Sequence, residues 1–137
     1  MPDFTVLLVE DNANEAMLME EACLMSDQPF RMQLARDGVE AIAALRDERD
    51  VPGLVLLDLN MPRMNGLEVL RVMKRDPLLR AVPVVILTNS ASPEDVDRCY
   101  EAGANAYVTK PLDVLEFFAD VQKLLNYWRD VAITPTP

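Results

Sequence analysis

The chain contains no histidine. Histidine-dependent triads, histidine metal sites and histidine phosphotransfer within the chain are thereby excluded. Cysteine is scarce. Cys23 and Cys99 lie far apart in helical-looking segments, which reads as two small buried or half-buried thiols in a reducing cytosol. Cationic residues are in deficit, with 13 Lys and Arg against 23 Asp and Glu and a formal charge of −10. Nucleic-acid binding requires phosphates to be neutralised, so this balance argues against it. It suits solubility and contact with basic patches on other proteins. No apolar run approaches the roughly 18 residues that span a bilayer. The segment Met1-Pro2-Asp3-Phe4 lacks the basic and apolar regions of a signal peptide. A cytoplasmic protein with no membrane partner is expected.

What is present is a core. The chain has 137 residues, half of them hydrophobic, which is enough for one folded domain. Strand-like apolar runs alternate with amphipathic stretches. The first run, about Phe4 to Val9, precedes a helix from about Asn14 to Met25, with Asn12 and Asn14 as plausible N-caps. From Phe30 to Arg36, Phe30, Met32 and Leu34 alternate with Arg31, Gln33 and Ala35, the pattern of an edge strand with one solvated face. Asp37-Gly38 opens a helix with Val39, Ile42, Ala43 and Leu45 on one side, and Val51-Pro52-Gly53 breaks it. Leu54 to Leu57 and Val84 to Leu87 are apolar throughout, as central parallel strands are. Between them a helix carries Leu67, Val69, Leu70 and Met73, and Asp76-Pro77 stops it. Ser92-Pro93-Glu94-Asp95 starts another helix, which Gly103 closes. A short strand ends at Lys110-Pro111. The last helix, about Asp113 to Arg129, aligns Val114, Phe117, Phe118, Val121, Leu124, Leu125 and Trp128. Five strand–helix pairs in strict alternation predict an open α/β sheet, mainly parallel, with helices on both faces. Residues 1–130 are expected to form the domain and 131–137 an irregular Pro/Thr-rich tail.

The polar residues that end these runs carry the chemistry. Glu10 and Asp11 end the first, Asp58 the third, Thr88 the fourth and Lys110 the fifth. In a parallel sheet all of these positions share one edge and meet in one crevice. Singly, each has an ordinary explanation: acids before a helix favour its dipole, and a Thr after Leu is commonly structural. Together they are harder to assign to chance. Carboxylates about 5 Å apart repel by roughly 3 kcal/mol per pair at an effective dielectric near 20. Such a cluster calls for a cation or for raised pKa values. Mg²⁺ suits it, since it takes oxygen ligands and keeps waters and phosphate oxygens. An Asp carboxylate can act as a nucleophile and form an aspartyl phosphate, a role that fits Asp58, with Lys110 and Thr88 holding the transferred group.

The segments Leu8-Val9-Glu10-Asp11-Asn12, Leu57-Asp58 through Gly66, Val85-Ile86-Leu87-Thr88, Gly103-Ala104-Asn105-Ala106-Tyr107 and Thr109-Lys110-Pro111 resemble, in order and over essentially the whole chain, a receiver domain of a two-component response regulator. The resemblance implies a flavodoxin-like doubly wound sheet of five parallel strands in the order 2-1-3-4-5, with five helices. It implies Asp58 as phosphoacceptor, and Mg²⁺ approached by Glu10, Asp11, Asp58 and the backbone carbonyl of Asn60. It further implies Thr88 and Lys110 on the phosphoryl group, Tyr107 as an aromatic switch, and a cis Lys110–Pro111 bond. A sensor histidine kinase is the implied partner, and the chain is expected to signal and not to be an enzyme. The Asp-Leu-Asn-Met-Pro-Arg-Met-Asn-Gly stretch and Tyr127-Trp128 resemble stand-alone regulators partnered with phytochrome-type histidine kinases. Receiver-family regulators often pair through their last helices, so a homodimer through that region is expected.

One position departs from the family pattern. The residue after Thr88, usually small, is Asn89. Its side chain either narrows access to Asp58, as a steric gate, or points to solvent. Other functions fit less well. A receiver-like interaction module that is never phosphorylated draws support from Asn89 alone. A small-molecule phosphatase lacks a second acid–base group. A flavin protein would want a Ser/Thr/Gly-rich loop where Glu10-Asp11-Asn12-Ala13-Asn14 stands.

Overall fold

A computed structural model describes residues 4–25, 31–47 and 51–134. Its elements are β1 (Thr5–Val9), α1 (Ala13–Leu24), β2 (Arg31–Ala35), α2 (Gly38–Leu45), β3 (Leu54–Leu57), α3 (Gly66–Arg75), β4 (Val84–Thr88), α4 (Pro93–Glu101), β5 (Ala106–Thr109) and α5 (Val114–Asn126). A wider-wound π-helical turn, Tyr127–Val131, extends α5. The helical rise therefore runs one residue past the expected start of the tail. The strands form one sheet in the order β2-β1-β3-β4-β5, all pairs parallel. This is the flavodoxin-like topology implied by the resemblance.

Period-two alternation divides the strands between two cores. Leu7, Val9, Val55, Leu57, Val84 and Ile86 pack with α2, α3 and α4. Val6, Leu8, Leu54, Leu56, Val85 and Leu87 pack with α1 and α5. Because both faces are covered, the central strands are apolar over Val6–Val9, Leu54–Leu57 and Val84–Leu87, with a buried threonine at one end of β1 and of β4. Each helix opens on a polar cap. Asn12, Asp37, Asn65, Ser92 and Asp113 accept a hydrogen bond from the backbone N–H three residues on, satisfying a donor that the helix leaves open.

Three expectations need correction. In α2 the packed face is Gly38, Ala41, Ile42 and Leu45, while Val39 and Ala43 are exposed. The spacing 38, 41, 42, 45 follows the helical period, whereas 39 and 43 lie on the opposite side. In β2, Leu34 is 37% exposed and Ala35 is buried, because at an edge strand the helix layers cover only part of each face. Phe30, placed at the start of that strand, lies outside the described residues. The Lys110–Pro111 bond, expected to be cis, is trans. A tertiary amide prefers trans by about 0.5–1 kcal/mol, and Lys110 reaches its carboxylate partners from that geometry.

Trp128 packs at the edge of the α1/α5 core, completing the stripe of the last helix. Cys23 and Cys99 are both buried. Burial pushes the Cys23 thiol up to about 11, so it stays protonated and inert. No helix among the described residues is long and apolar enough to cross a membrane.

Candidate functional site

The parallel register brings the carboxyl ends of β1, β3, β4 and β5 to one edge. Val9 lies beside Leu57, Leu57 beside Ile86, and Thr88 beside Thr109. The backbone then turns out of the sheet, and hydrogen bonds fix the turn. The Glu10 N–H donates to the Ala35 carbonyl at 3.0 Å, and the Asp58 N–H to the Val9 carbonyl at 3.1 Å. Glu10, Asp11 and Asp58 each place a carboxylate oxygen within 4.8 Å of the others. Glu10 and Asp58 are buried, and Asp11 is exposed at the rim.

Lys110 enters from the end of β5. Its backbone N–H donates to the Thr88 carbonyl at 2.7 Å, which ties β5 to β4 beside the cluster. Its buried ammonium lies 2.5 Å from Glu10 Oε1 and 2.6 Å from Glu15 Oε2. Glu15 is a site residue that the sequence reading did not include. It stands in the first turn of α1, where an acid has a ready explanation in the helix dipole. The available signal was its spacing, four residues past Asp11 on the helix that starts at the cluster.

Thr88 is fully buried, and its Oγ1 accepts a 3.5 Å hydrogen bond from the Ser90 N–H. The Tyr107 hydroxyl donates to the Ser90 carbonyl at 2.7 Å, and its half-buried ring packs on the α2/α3/α4 core. Thr88 and Tyr107 therefore address the same short segment after β4. Burial raises the Tyr107 pKa, and the acids Asp95 and Asp58 add to the shift. Asn60 and Asn89 are exposed. Asn89 and Glu15 line a cleft of about 620 Å³ with Lys110 and Pro111.

The loop after Asp58 has supports that sequence reasoning missed. A Cβ at Gly66 would lie 2.2 Å from the Asp58 carbonyl oxygen, so only glycine lets α3 start this close behind Asp58. Arg63 holds a left-handed φ of 63°, and its guanidinium pairs with the Asp37 carboxylate. The Gly38 N–H donates to the Met64 carbonyl at 3.1 Å. These contacts lock the β3–α3 loop onto the start of α2.

The electrostatics are one-sided. Glu10 and Glu15 bond one ammonium, Lys110, and Asp58 adds its charge. Burial pushes Glu10 up to about 8, with Lys110 opposing the shift and Asp58 adding to it. Burial alone would lower Lys110, but its bonds to Glu10 and Glu15 raise it, so it stays charged. Partial burial of Glu15 is outweighed by its bonds to Lys110 and Glu10, and its pKa falls. A crowded, all-oxygen, anionic donor set with one exposed side fits a hard divalent cation that retains waters.

Comparison with known proteins agrees with this geometry. The family model described as response regulator receiver domain matches residues 6–122. The chain is 40% identical over 138 residues to the probable methanogenesis regulatory protein FilR2 of Methanothrix harundinacea, covering 98% of this chain and 89% of that protein. It is 35% identical over 139 residues to the response regulator Rcp1 of Synechocystis sp., covering 98% and 95%. The crystal structure of the phosphorylated cyanobacterial phytochrome response regulator RcpA superposes with a TM-score of 0.93 at 36% identity, covering 98% of this chain and all of that one. The Mn²⁺-bound form of Rcp1 superposes with a TM-score of 0.90 at 36% identity and the same coverage. A five-stranded parallel sheet, an acidic triad at its carboxyl edge and a family match over most of the length lead to one assignment: the chain belongs to the response regulator receiver domain family.

Proposed function

We propose that the protein is a phosphorylation-controlled regulator that accepts a phosphoryl group on Asp58 from the phosphohistidine of a partner histidine kinase. The observation that carries this reading is the convergence of Glu10, Asp11 and Asp58 beside a buried Lys110. An Asp58 carboxylate oxygen attacks phosphorus, the P–N bond to the kinase imidazole breaks with its electron pair leaving on nitrogen, and an aspartyl phosphate results. Glu10, Asp11, Asp58 and the Asn60 carbonyl would hold a divalent cation, which we take to be Mg²⁺. When bound, it supplies charge neutralisation at the transferring oxygens. Thr88 and Lys110 hold the new phosphoryl oxygens. Tyr107, already bonded to the Ser90 carbonyl, reports movement of the β4–α4 segment to the surface, in the manner of a two-state switch.

Incubation with Mg²⁺ and acetyl phosphate, followed by intact-mass measurement, tests the acceptor. Wild type gains one phosphoryl mass and Asp58→Asn gains none. An equal gain in the variant would reject the assignment.

We also propose that the kinase is of the phytochrome type. Support comes from likeness to RcpA, described as a phytochrome response regulator, and to RPA3017, described in red light signalling of R. palustris, at a TM-score of 0.85 and 29% identity. The test is red-light-dependent transfer from a purified phytochrome kinase. Equal transfer in the dark and light forms would reject it. The setting is cytoplasmic in this reading, and pairing between copies uses the last-helix region. There Leu115 and Tyr127 are exposed apolar residues on α5 and its extension.

A further inference from the structure

The phosphoryl reading leaves one ion pair unexplained. Lys110 is expected to hold a phosphoryl group on Asp58, yet its ammonium is shared between Glu10 and Glu15, at 2.5 and 2.6 Å. The two partners are not equivalent. Glu10 belongs to the acidic triad and would be recruited by a cation there. Glu15 lies outside the triad, in the first turn of α1, with its side chain 28% exposed. Its N–H donates to Asn12 Oδ1 at 3.0 Å, which fixes its backbone at the start of α1 beside the cleft that Lys110 lines. Glu15 therefore remains a partner of Lys110 whatever Glu10 coordinates. An ammonium has three N–H donors, and a phosphoryl group must compete with the Glu15 carboxylate for them.

We propose that Glu15 is a positioning residue that retains Lys110 on the α1 side of the cleft and opposes its engagement with a phosphoryl group on Asp58. This rests on the acceptor reading and adds a brake to it.

The test is beryllofluoride binding to the full chain at saturating Mg²⁺, followed by ¹⁹F NMR, in wild type, Glu15→Gln and Glu15→Asp. Glu15→Gln removes the charge. Glu15→Asp keeps the charge but withdraws it from Lys110 by one methylene. Both variants should bind roughly two- to fivefold more tightly, the range that a partly exposed ion pair spans. Wild-type or weaker affinity in both overturns the proposal. Tighter binding in Glu15→Gln with wild-type affinity in Glu15→Asp also overturns it, because general charge repulsion then explains the effect. A wild-type protein that takes up no beryllofluoride, or takes it up equally as Asp58→Asn, defeats the acceptor reading itself and this proposal with it.

Discussion

Individual residues at this site are chosen against stability. Glu10 is 2% exposed, and its pKa near 8 reflects the cost of burying it among other acids. Lys110 offsets part of that cost. Asp11, exposed at the rim, repels both Glu10 and Asp58. Asp11→Asn should therefore weaken Mg²⁺ binding while stabilising the protein in chelator, by no more than about 1 kcal/mol because solvent screens an exposed charge. Thermal unfolding in chelator and a Mg²⁺ titration check the two signs. Unchanged Mg²⁺ affinity would place the cation elsewhere. At this scale the sequence was legible where a polar residue ended an apolar run, as with Asp58, Thr88 and Lys110. It was less legible where a residue had a sufficient local explanation. Glu15 has a sufficient local role as an acid in the first turn of α1, and its bond to Lys110 spans 95 positions, a distance that no local pattern encodes.

Elements matter here chiefly for how closely they approach one another. The start of α3 packs on the Asp58 backbone, and the space for a side chain at Gly66 is filled by the Asp58 carbonyl, 2.2 Å from the Cβ position. Gly66→Ala should lower stability by about 1–3 kcal/mol through overpacking and reduce phosphorylation of Asp58. A shift in the denaturant midpoint together with the intact-mass assay would show both effects, and wild-type values in both would mean that α3 relaxes freely. The cap of α2 is a second such device. The Glu40 N–H, then Arg63, hold the Asp37 carboxyl below its ordinary range. A depressed carboxyl stabilises the fold above its unfolded pKa of about 4, and that contribution is lost as pH falls through the lower folded value. The stability gap between wild type and Asp37→Ala should thus be full at neutral pH and narrow at strongly acidic pH. Urea unfolding at both ends decides this, and a gap that widens with acid would contradict it. Strands β1, β3 and β4 were legible from unbroken apolar runs. The face of α2 was not, because Ala41 and Ala43 are chemically identical and only the helical phase separates them. Nor was the Arg63–Asp37 tie, which joins two loops across the sheet edge.

The whole molecule gathers the acidic triad and Lys110 at one edge of its sheet. Strict strand–helix alternation made the α/β class legible, and the strand order followed from the resemblance carried by the site motifs. Assembly was not legible in the same way. Trp128 packs on the domain's own core, leaving Leu115 in the first turn of α5 and Tyr127 and Val131 in its extension as exposed apolar positions. Light scattering near micromolar concentration should give a dimeric mass in the beryllofluoride-bound protein, and Leu115→Glu should weaken it. A monomeric mass with and without beryllofluoride would rule out pairing as the output.

Borohydride trapping reads the phosphorylated residue itself. An acyl phosphate formed with acetyl phosphate and Mg²⁺ is reduced at its carbonyl, converting the acceptor aspartate to homoserine, which peptide mass mapping then locates. Homoserine is expected at position 58, with Asp11 unmodified. Homoserine at position 11 with Asp58 intact, or a phosphorylated protein that yields no homoserine at position 58, would contradict Asp58 as the acceptor.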